Sequence, residues 1–269
     1  MTEYDPPNGN DTFESPMWRG IDFSGLTVVL GAGTGRLIEL LAEQASISGG
    51  NILVLSQRSD VLEALAPLRA RGSLTLVQAR PRVVPVMDET VDLLVFNGVL
   101  REVPDNRLRA MFEELMRVIV PGGQLRISDI IEPSEAEYNR AWSERNRIVR
   151  KLGAALNRPT ALSVDLKRAA MAARAVGFDD LAVSVLPGFA LTDAWLEETT
   201  NAIRMMAGHV ADRAVRDEIL GEDIPRLVTA YREGNQRAAE RFVLRGVKVG
   251  NLALDMKASF TEEDLIEED

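Results

Sequence analysis

The stretch VVLGAGTGRLIELLAEQ, residues 28–44, decides the fold class of this protein. A run of valine and leucine ends at a turn with three glycines, and leucines at helical spacing follow it. This order predicts a strand, a tight turn and a helix whose first backbone amides can bind an anion. The same turn could instead only pack the strand against the helix, because glycine permits close backbone contact in either case.

Strand and helix patterns alternate beyond this stretch. Leucine and valine at helical spacing follow each of the first two predicted strands, and the helix before the fifth strand has an apolar face of Leu108, Met111, Phe112, Leu115 and Met116. Such alternation predicts a parallel sheet with helices on both faces. The five predicted strands are LTVVLG (26–31), NILVLS (51–56), LTLVQA (74–79), VDLLVFNG (91–98) and GGQLRISDII (122–131).

The pattern changes after the fifth strand. Ser134 is predicted to cap a helix that contains Trp142, and Ser163 to cap a helix that runs through Val176 and stops at Gly177. Two more strands are predicted, LAVSVLPG (181–188) and RFVLRGVKVG (241–250), with roughly fifty mostly helical residues between them. An ordered insertion of that length is often functional.

Composition narrows the classes of function. The formal net charge of −10 argues against binding to nucleic acid or to an anionic membrane surface. The chain has no cysteine and one histidine, so we expect no disulfide and no metal site. No apolar run is long enough to span a membrane, and the polar start is unlike a signal peptide. These features predict a cytoplasmic protein.

Four ordered segments resemble the class I S-adenosylmethionine-dependent methyltransferases, in their small-molecule branch. They are VVLGAGTG, PVMDETVDLLVFNGVLREVPD, ELMRVIVPGGQLRISD and AARAVGFDDLAV, which fall in the family's order across about residues 24 to 188. The resemblance implies a seven-stranded Rossmann-like α/β sheet with helices on both faces and helical insertions at its carboxyl edge. The predicted organisation is a flexible arm (1–16), a domain (17–260) with insertions at about 133–160 and 189–239, and an acidic tail (261–269).

The resemblance also implies S-adenosylmethionine as cofactor. The glycine turn would hold its methionine end, the end of the second strand its ribose, and the loop after the third strand its adenine. The residues that the resemblance assigns to cofactor binding are Gly31, Ala32, Gly33, Thr34, Gly35, Ser56, Gln57, Arg80, Asn97 and Gly98.

Three acidic residues that the family uses for cofactor binding are replaced. Val29 stands near the end of the first strand, Ser56 at the end of the second and Arg80 after the third. Each lost charge-assisted hydrogen bond should cost on the order of 1.5–3 kcal/mol unless another group replaces it. Gln57 could serve the ribose. Arg80 could bind a phosphate or carboxylate of another ligand, or simply face solvent.

The two helical insertions leave the sheet where ligands bind, so they could cover the pocket, form a dimer interface, or do both. Tyr138, Trp142, Trp195 and Met206 are candidates for an acceptor pocket, although Trp195 and Met206 also suit a lid core.

The candidate catalytic residues are Glu102, Asp129 and His209. Glu102 follows the fourth strand and could face substrate or start a helix, and Asp129 ends the fifth strand and could orient substrate or cap a turn. His209 shares a helical face with Trp195 and Met206, which also suits a buried structural histidine.

Two functions follow from these features. The first is S-adenosylmethionine-dependent methyl transfer to a small organic acceptor. The second is a catalytically inactive protein of the same fold that acts as an assembly or regulatory partner, which the three missing carboxylates would explain.

Overall fold

The computed structural model describes residues 15–31, 35–71, 73–79, 83–131, 140–157, 163–234 and 237–250. They form seven strands: β1 (Leu26–Leu30), β2 (Asn51–Ser56), β3 (Leu74–Gln78), β4 (Val91–Asn97), β5 (Ile119–Ile130), β6 (Phe178–Leu186) and β7 (Arg241–Lys248). The helices are α1 (Arg36–Ser48), α2 (Ser59–Leu65), α3 (Leu108–Val118), α4 (Arg140–Ala155), α5 (Leu166–Ala175), α6 (Asp193–Ala207), α7 (Arg213–Glu218) and α8 (Ile224–Glu233).

The strands form one sheet in the order β3-β2-β1-β4-β5-β7-β6. The pairs among β1 to β5 are parallel, whereas β7 is antiparallel to both β5 and β6. Leu186, Arg241 and Ile130 lie side by side across these last three strands. The end of β5, the end of β6 and the start of β7 therefore meet at the carboxyl edge, as predicted, and both helical insertions attach there.

Each face of the sheet is covered because consecutive strand residues point to opposite sides. Val28, Leu94 and Phe96 pack with α3 and α5 on one face, while Val29 and Val95 pack with α1 on the other. These side chains are almost fully buried, and burial of one such side chain stabilises the fold by about 1.5–3 kcal/mol. The predicted apolar face of α3 is confirmed: Leu108, Met111, Phe112 and Leu115 are buried, with Met116 packed beside them.

Helix caps and strand starts differ from the prediction in detail. Asp165, not Ser163, caps α5, because its Oδ1 accepts a hydrogen bond from Arg168 N at 3.0 Å. Gly177 follows α5 with φ of 107°, which confirms the predicted stop. β5 and β6 each begin three residues earlier than predicted, at Ile119 and Phe178. Ser134 lies outside the described residues.

The N-terminal end of the described chain packs on the sheet. Ser15 is buried, and its hydroxyl accepts from Met17 N at 3.2 Å at the start of a short 3-10 helix, Pro16–Trp18. Met17 and Trp18 belong to the same apolar core as α1. Within the described ranges, no helix has the length and apolar character needed to cross a membrane.

A separate apolar core joins α4, α6, α7 and α8, which we call the helical layer. Trp195 stacks between Trp142 and Tyr231, with ring centroids 6.2 and 6.3 Å away. Phe189, just after β6, meets the Trp142 ring edge-on at 5.7 Å. Ile130, at the end of β5, packs against the same cluster. The helical layer therefore sits next to the carboxyl edge of the sheet.

A buried carboxylate ties three elements of the helical layer together. Asp223 is fully buried at the end of a π-helical turn, Ile219–Asp223, that precedes α8. It accepts hydrogen bonds from Arg147 Nη2 at 2.8 Å and Lys151 Nζ at 2.9 Å, both on α4. Lys151 also pairs with Glu218 of α7 at 2.6 Å. Burial alone would raise the pKa of Asp223, but the bonds from Lys151 and Arg147 hold it below its ordinary value.

We predict that Asp223→Ala lowers the free energy of unfolding by about 3 kcal/mol, because it leaves two cations without their buried partner. Urea unfolding followed by tryptophan fluorescence measures the loss, since Trp142 and Trp195 lie in this layer. The control is Asp217→Ala, whose side chain is 61% exposed in a surface pair and should change stability by about 0.5 kcal/mol or less. Equal effects of the two substitutions would contradict the prediction.

Candidate active site

The end of β1 lies unusually close to the end of β4. Gly31 has φ of 91°, and a Cβ atom there would stand 2.1 Å from the Asn97 carbonyl oxygen. A glycine is therefore required at residue 31 by the packing of the two strands, whatever else the turn does. Ala32, Gly33 and Thr34, the middle of the predicted cofactor turn, lie outside the described residues.

Helix α1 starts directly after this turn. Gly35 precedes it and provides no side chain to cap the first turn, whose earliest internal bond is Glu39 N to Gly35 O at 3.0 Å. The amides at the start of α1 thus face the carboxyl edge of the sheet with the positive end of the helix dipole behind them. This arrangement suits a carboxylate.

The end of β2 does not present its hydroxyl to a ligand. Ser56 Oγ accepts from Arg58 N at 3.1 Å and donates to Arg58 O at 3.3 Å, so the hydroxyl stabilises its own turn. Gln57 is the next residue and its side chain is exposed. Gln78 Nε2, on β3, donates to the Gln57 carbonyl at 3.1 Å and holds this turn. Of the two predicted ribose residues, only Gln57 has a side chain directed away from its own turn.

Gln57 contacts a candidate catalytic residue. Its Nε2 donates to Glu102 Oε2 at 3.3 Å. The two residues follow β2 and β4, and these strands are separated in the sheet by β1. The contact therefore passes over the end of β1. It places a carboxylate beside the end of β2, which has no acidic residue of its own.

Glu102 ends a 3-10 turn, Leu100–Glu102, that two neighbouring groups hold in place. Leu100 is buried in the core beneath it, and Arg101 N donates to Asp129 Oδ2 at 3.1 Å. The other carboxylate oxygen of Asp129 accepts from Ile130 N at 2.8 Å. Asp129 is thus a buried residue that holds backbone amides, which favours the turn-capping alternative over the predicted contact with substrate.

Burial raises the pKa of the Asp129 carboxyl above its ordinary value, and the Arg101 guanidinium, with Nε 3.9 Å from Oδ1, opposes that shift. A second cation lies nearby, because Arg241 Nη2 donates to Ser128 Oγ at 3.1 Å. The sequence prediction missed Arg101, Ser128 and Arg241. Their contacts join β4, β5 and β7, which are far apart in the chain, so no local pattern indicates them.

Asn97 and Gly98 lie at the end of β4 beside this turn. Asn97 is buried, and Gly98 N donates to Ser128 O at 2.8 Å. Both residues therefore border the carboxyl edge, as a cofactor role requires. Val29, where the family has an acidic residue, is fully buried in the core with α1. Arg80 lies outside the described residues.

The candidates in the insertions divide into two groups. Trp142, Trp195 and Met206 come together in the helical layer, where both tryptophans are buried and Met206 packs beside them. His209 is exposed in the turn after α6, so its predicted burial is wrong. The helix ends at Ala207, and its apolar face does not continue to residue 209. Tyr138 lies outside the described residues.

Comparison with known proteins shows which class of protein the domain resembles. Residues 28–127, less than half of the chain, match the family model described as "Methyltransferase domain". The seven-stranded sheet with its antiparallel β7 matches the fold of solved methyltransferase structures. These findings support the predicted resemblance to the class I S-adenosylmethionine-dependent methyltransferases. They confirm the predicted fold class.

Two curated relatives share part of the chain. The malonyl-[acyl-carrier protein] O-methyltransferase of Methylococcus capsulatus is 33% identical over 114 residues, which are 42% of this chain and 40% of that protein. The ubiquinone/menaquinone biosynthesis C-methyltransferase of Syntrophotalea carbinolica is 27% identical over 118 residues, 43% of this chain and 49% of that one. The match thus spans less than half the length of either relative.

A solved structure extends the likeness of fold over most of the chain. The [4+2]-cyclase SpnF superposes with a TM-score of 0.53 at 15% identity, covering 84% of this chain and 75% of that one. At this identity the likeness concerns the fold alone. Since one fold supports many reactions, the activity must be argued from the site.

The cofactor that this domain implies is S-adenosylmethionine. The described residues fit it at two points: the start of α1 offers amides to its carboxylate, and the Gln57–Glu102 pair offers a carboxylate and an amide to its ribose. Asn97 and Gly98 border the space between them. The carboxyl edge therefore has an acidic group, Glu102, although three acidic residues of the family are replaced.

We predict that the pH dependence of stability reports on Asp129. A carboxyl with a raised folded-state pKa stabilises the fold below its ordinary value of 3.8, and that contribution is lost as pH rises through the folded-state pKa. The amide in Asp129→Asn does not titrate, so the stability of the wild type relative to this variant should fall with rising pH. Urea unfolding from about pH 4 to about pH 8 measures this difference; a constant or rising difference would contradict the raised pKa.

Proposed function

We propose that this protein catalyses S-adenosylmethionine-dependent methyl transfer to a small organic acceptor. The observation that favours this proposal most is the set of polar groups at the carboxyl edge of the sheet: the backbone amides at the start of α1 and a carboxylate beside Gln57. The helical layer, with its own apolar core, lies beside that edge. The proposal thus gives separate surfaces to the cofactor and the acceptor.

In this proposal the chain contributes mainly position. S-adenosylmethionine supplies a methyl group that its sulfonium already activates. The amides of α1 hold the carboxylate, Gln57 and its neighbours orient the ribose, and the helical layer excludes water from the acceptor. Alignment of two reactants can supply much of the rate of such a transfer. Neither buried Asp129 nor exposed His209 is assigned as a proton acceptor.

The acceptor surface is proposed to lie along α4. Trp142 Nε1 and Asn146 Nδ2 are buried donors one helical turn apart, and in the described part of the chain neither has a hydrogen-bond partner. A buried donor left in this state costs about 1–3 kcal/mol. An acceptor with an apolar or aromatic body and an oxygen that accepts hydrogen bonds would satisfy both atoms and lie against the apolar side chains of the helical layer.

The comparisons support methyl transfer more than a particular acceptor. One relative is named as an O-methyltransferase and the other as a C-methyltransferase. The match to the family model ends at residue 127, before α4 begins at Arg140, so the helical layer lies beyond it. We therefore assign acceptor choice to the helical layer and cofactor binding to the shared part of the sheet.

We predict that the purified protein binds S-adenosylhomocysteine with a dissociation constant on the order of micromolar, measured by calorimetry. Gly33→Asp should abolish binding, because it adds a carboxylate to the turn assigned to the ligand carboxylate. Gly221→Asp is the matched control, since a side chain there meets nothing within 4 Å. Absence of heat at about millimolar ligand would instead support the inactive assembly or regulatory role.

A second prediction concerns the buried donors. Asn146→Leu should change the free energy of unfolding by about 1 kcal/mol or less, since it removes the unsatisfied Nδ2 donor together with the Oδ1 that accepts from Arg145 Nη1 at 3.0 Å. With radiolabelled S-adenosylmethionine, the same variant should methylate small aromatic carboxylic acids and phenols more slowly than the wild type does. His209→Ala, at an exposed position, is the control for both measurements. A loss of stability well above about 1 kcal/mol would contradict the prediction, because it would show that Asn146 Nδ2 has a hydrogen-bond partner in the free protein.

A further inference from the structure

We infer that Glu102 supplies, from the turn after β4, the carboxylate that binds the ribose hydroxyls of the cofactor. In this protein that carboxylate would replace the acidic residue missing from the end of β2. The inference depends on the proposed cofactor binding and assigns a residue to one part of it. It also gives Glu102 a binding role in place of the predicted catalytic one.

Glu102 lies next to the end of β2. Glu102 Oε2 is 3.3 Å from Gln57 Nε2, so the carboxylate stands at the end of β2 although it belongs to the β4 turn. Both side chains are exposed at the carboxyl edge, where parallel α/β sheets bind their ligands. A ligand that contacts the end of β2 therefore meets Glu102 at the same point.

The chemistry of a carboxylate suits the two ribose hydroxyls. A ribose presents two neighbouring hydroxyl donors, and a carboxylate can accept from both. Ser56 is committed to its own turn, and Gln57 provides one neutral carbonyl oxygen. Hydrogen bonds to a charged acceptor are roughly twice as strong as neutral ones. The Glu102 carboxylate is thus better suited to the diol than either residue of β2.

Two other acidic residues near this edge have different contacts. Asp60, at the start of α2, is paired with Arg58. Asp129 is buried and holds two backbone amides. Among the described residues, Glu102 is the acidic residue whose carboxylate contacts the end of β2. Within that part of the chain it is the group placed to restore the charge.

Hydrogen bonds hold the backbone of the turn that bears Glu102. Glu102 N donates to Val99 O at 3.1 Å and Val103 N donates to Leu100 O at 3.0 Å, which closes the 3-10 turn. Asp129 fixes the same turn through Arg101 N, and Leu100 is anchored in the core. The backbone that bears Glu102 is therefore held before any ligand binds, which lowers the entropic cost of the contact.

The test is calorimetric titration of the full chain with S-adenosylhomocysteine. Glu102→Gln keeps the shape but removes the charge, and it should weaken binding by about 10- to 100-fold. The double variant Gln57→Glu/Glu102→Gln returns a carboxylate to β2 and should recover most of that loss. Glu113→Gln, on the exposed side of α3, is the control and should bind as the wild type does.

A second ligand separates a ribose contact from a general effect of charge. The 2′-deoxy analogue of S-adenosylhomocysteine lacks one hydroxyl, so Glu102→Gln should weaken its binding less than it weakens binding of the parent ligand. Equal loss with both ligands would overturn the inference, as would wild-type affinity in Glu102→Gln. If the wild type itself binds neither ligand, the proposed function fails, and that result is distinct from either of these.

Discussion

The close contact between Gly31 and the Asn97 carbonyl is the constraint on which the site depends. It brings the ends of β1 and β4 together so tightly that no Cβ atom fits between them. The β4 turn can then extend toward the end of β2, where Glu102 meets Gln57. A larger residue at the end of β1 would separate the strands and would also move the turn. The glycine thus has a packing role that is independent of any ligand.

The architecture could be predicted from sequence because its signals are local. A strand buried on both faces gives a continuous apolar run, and a helix that covers it gives one apolar stripe, so β1 to β5 and α3 are visible in short windows. The sequence misleads where two residues can cap the same helix, and where a helical pattern continues past the residue at which the helix ends. Ser163 and Asp165 are both good caps, and His209 lies two residues beyond the end of its helix.

The candidate site was less predictable because its contacts are distant in sequence. The resemblance of β2 to the methyltransferases predicts a replaced carboxylate at Ser56, and that prediction uses residues next to each other in the sequence. The residue that stands in the same space is 45 positions away from Gln57, on a turn whose geometry depends on Asp129 in a third strand. A polar residue on the apolar face of α4, Asn146, was a signal that sequence analysis could have used.

The sheet edge proposed to bind the cofactor and the helical layer proposed to bind the acceptor are separate parts of the structure. The sheet edge that would hold the cofactor is built by β1, β2 and β4, within the segment that matches the family model. The helical layer has its own core and its own ion pairs around the buried Asp223, so its stability depends little on the residues at the sheet edge. The layer attaches at the ends of β5, β6 and β7, whereas Gly31 and Asn97 lie at the ends of β1 and β4. Substitutions in the helical layer can therefore change the proposed acceptor surface without moving the proposed cofactor edge.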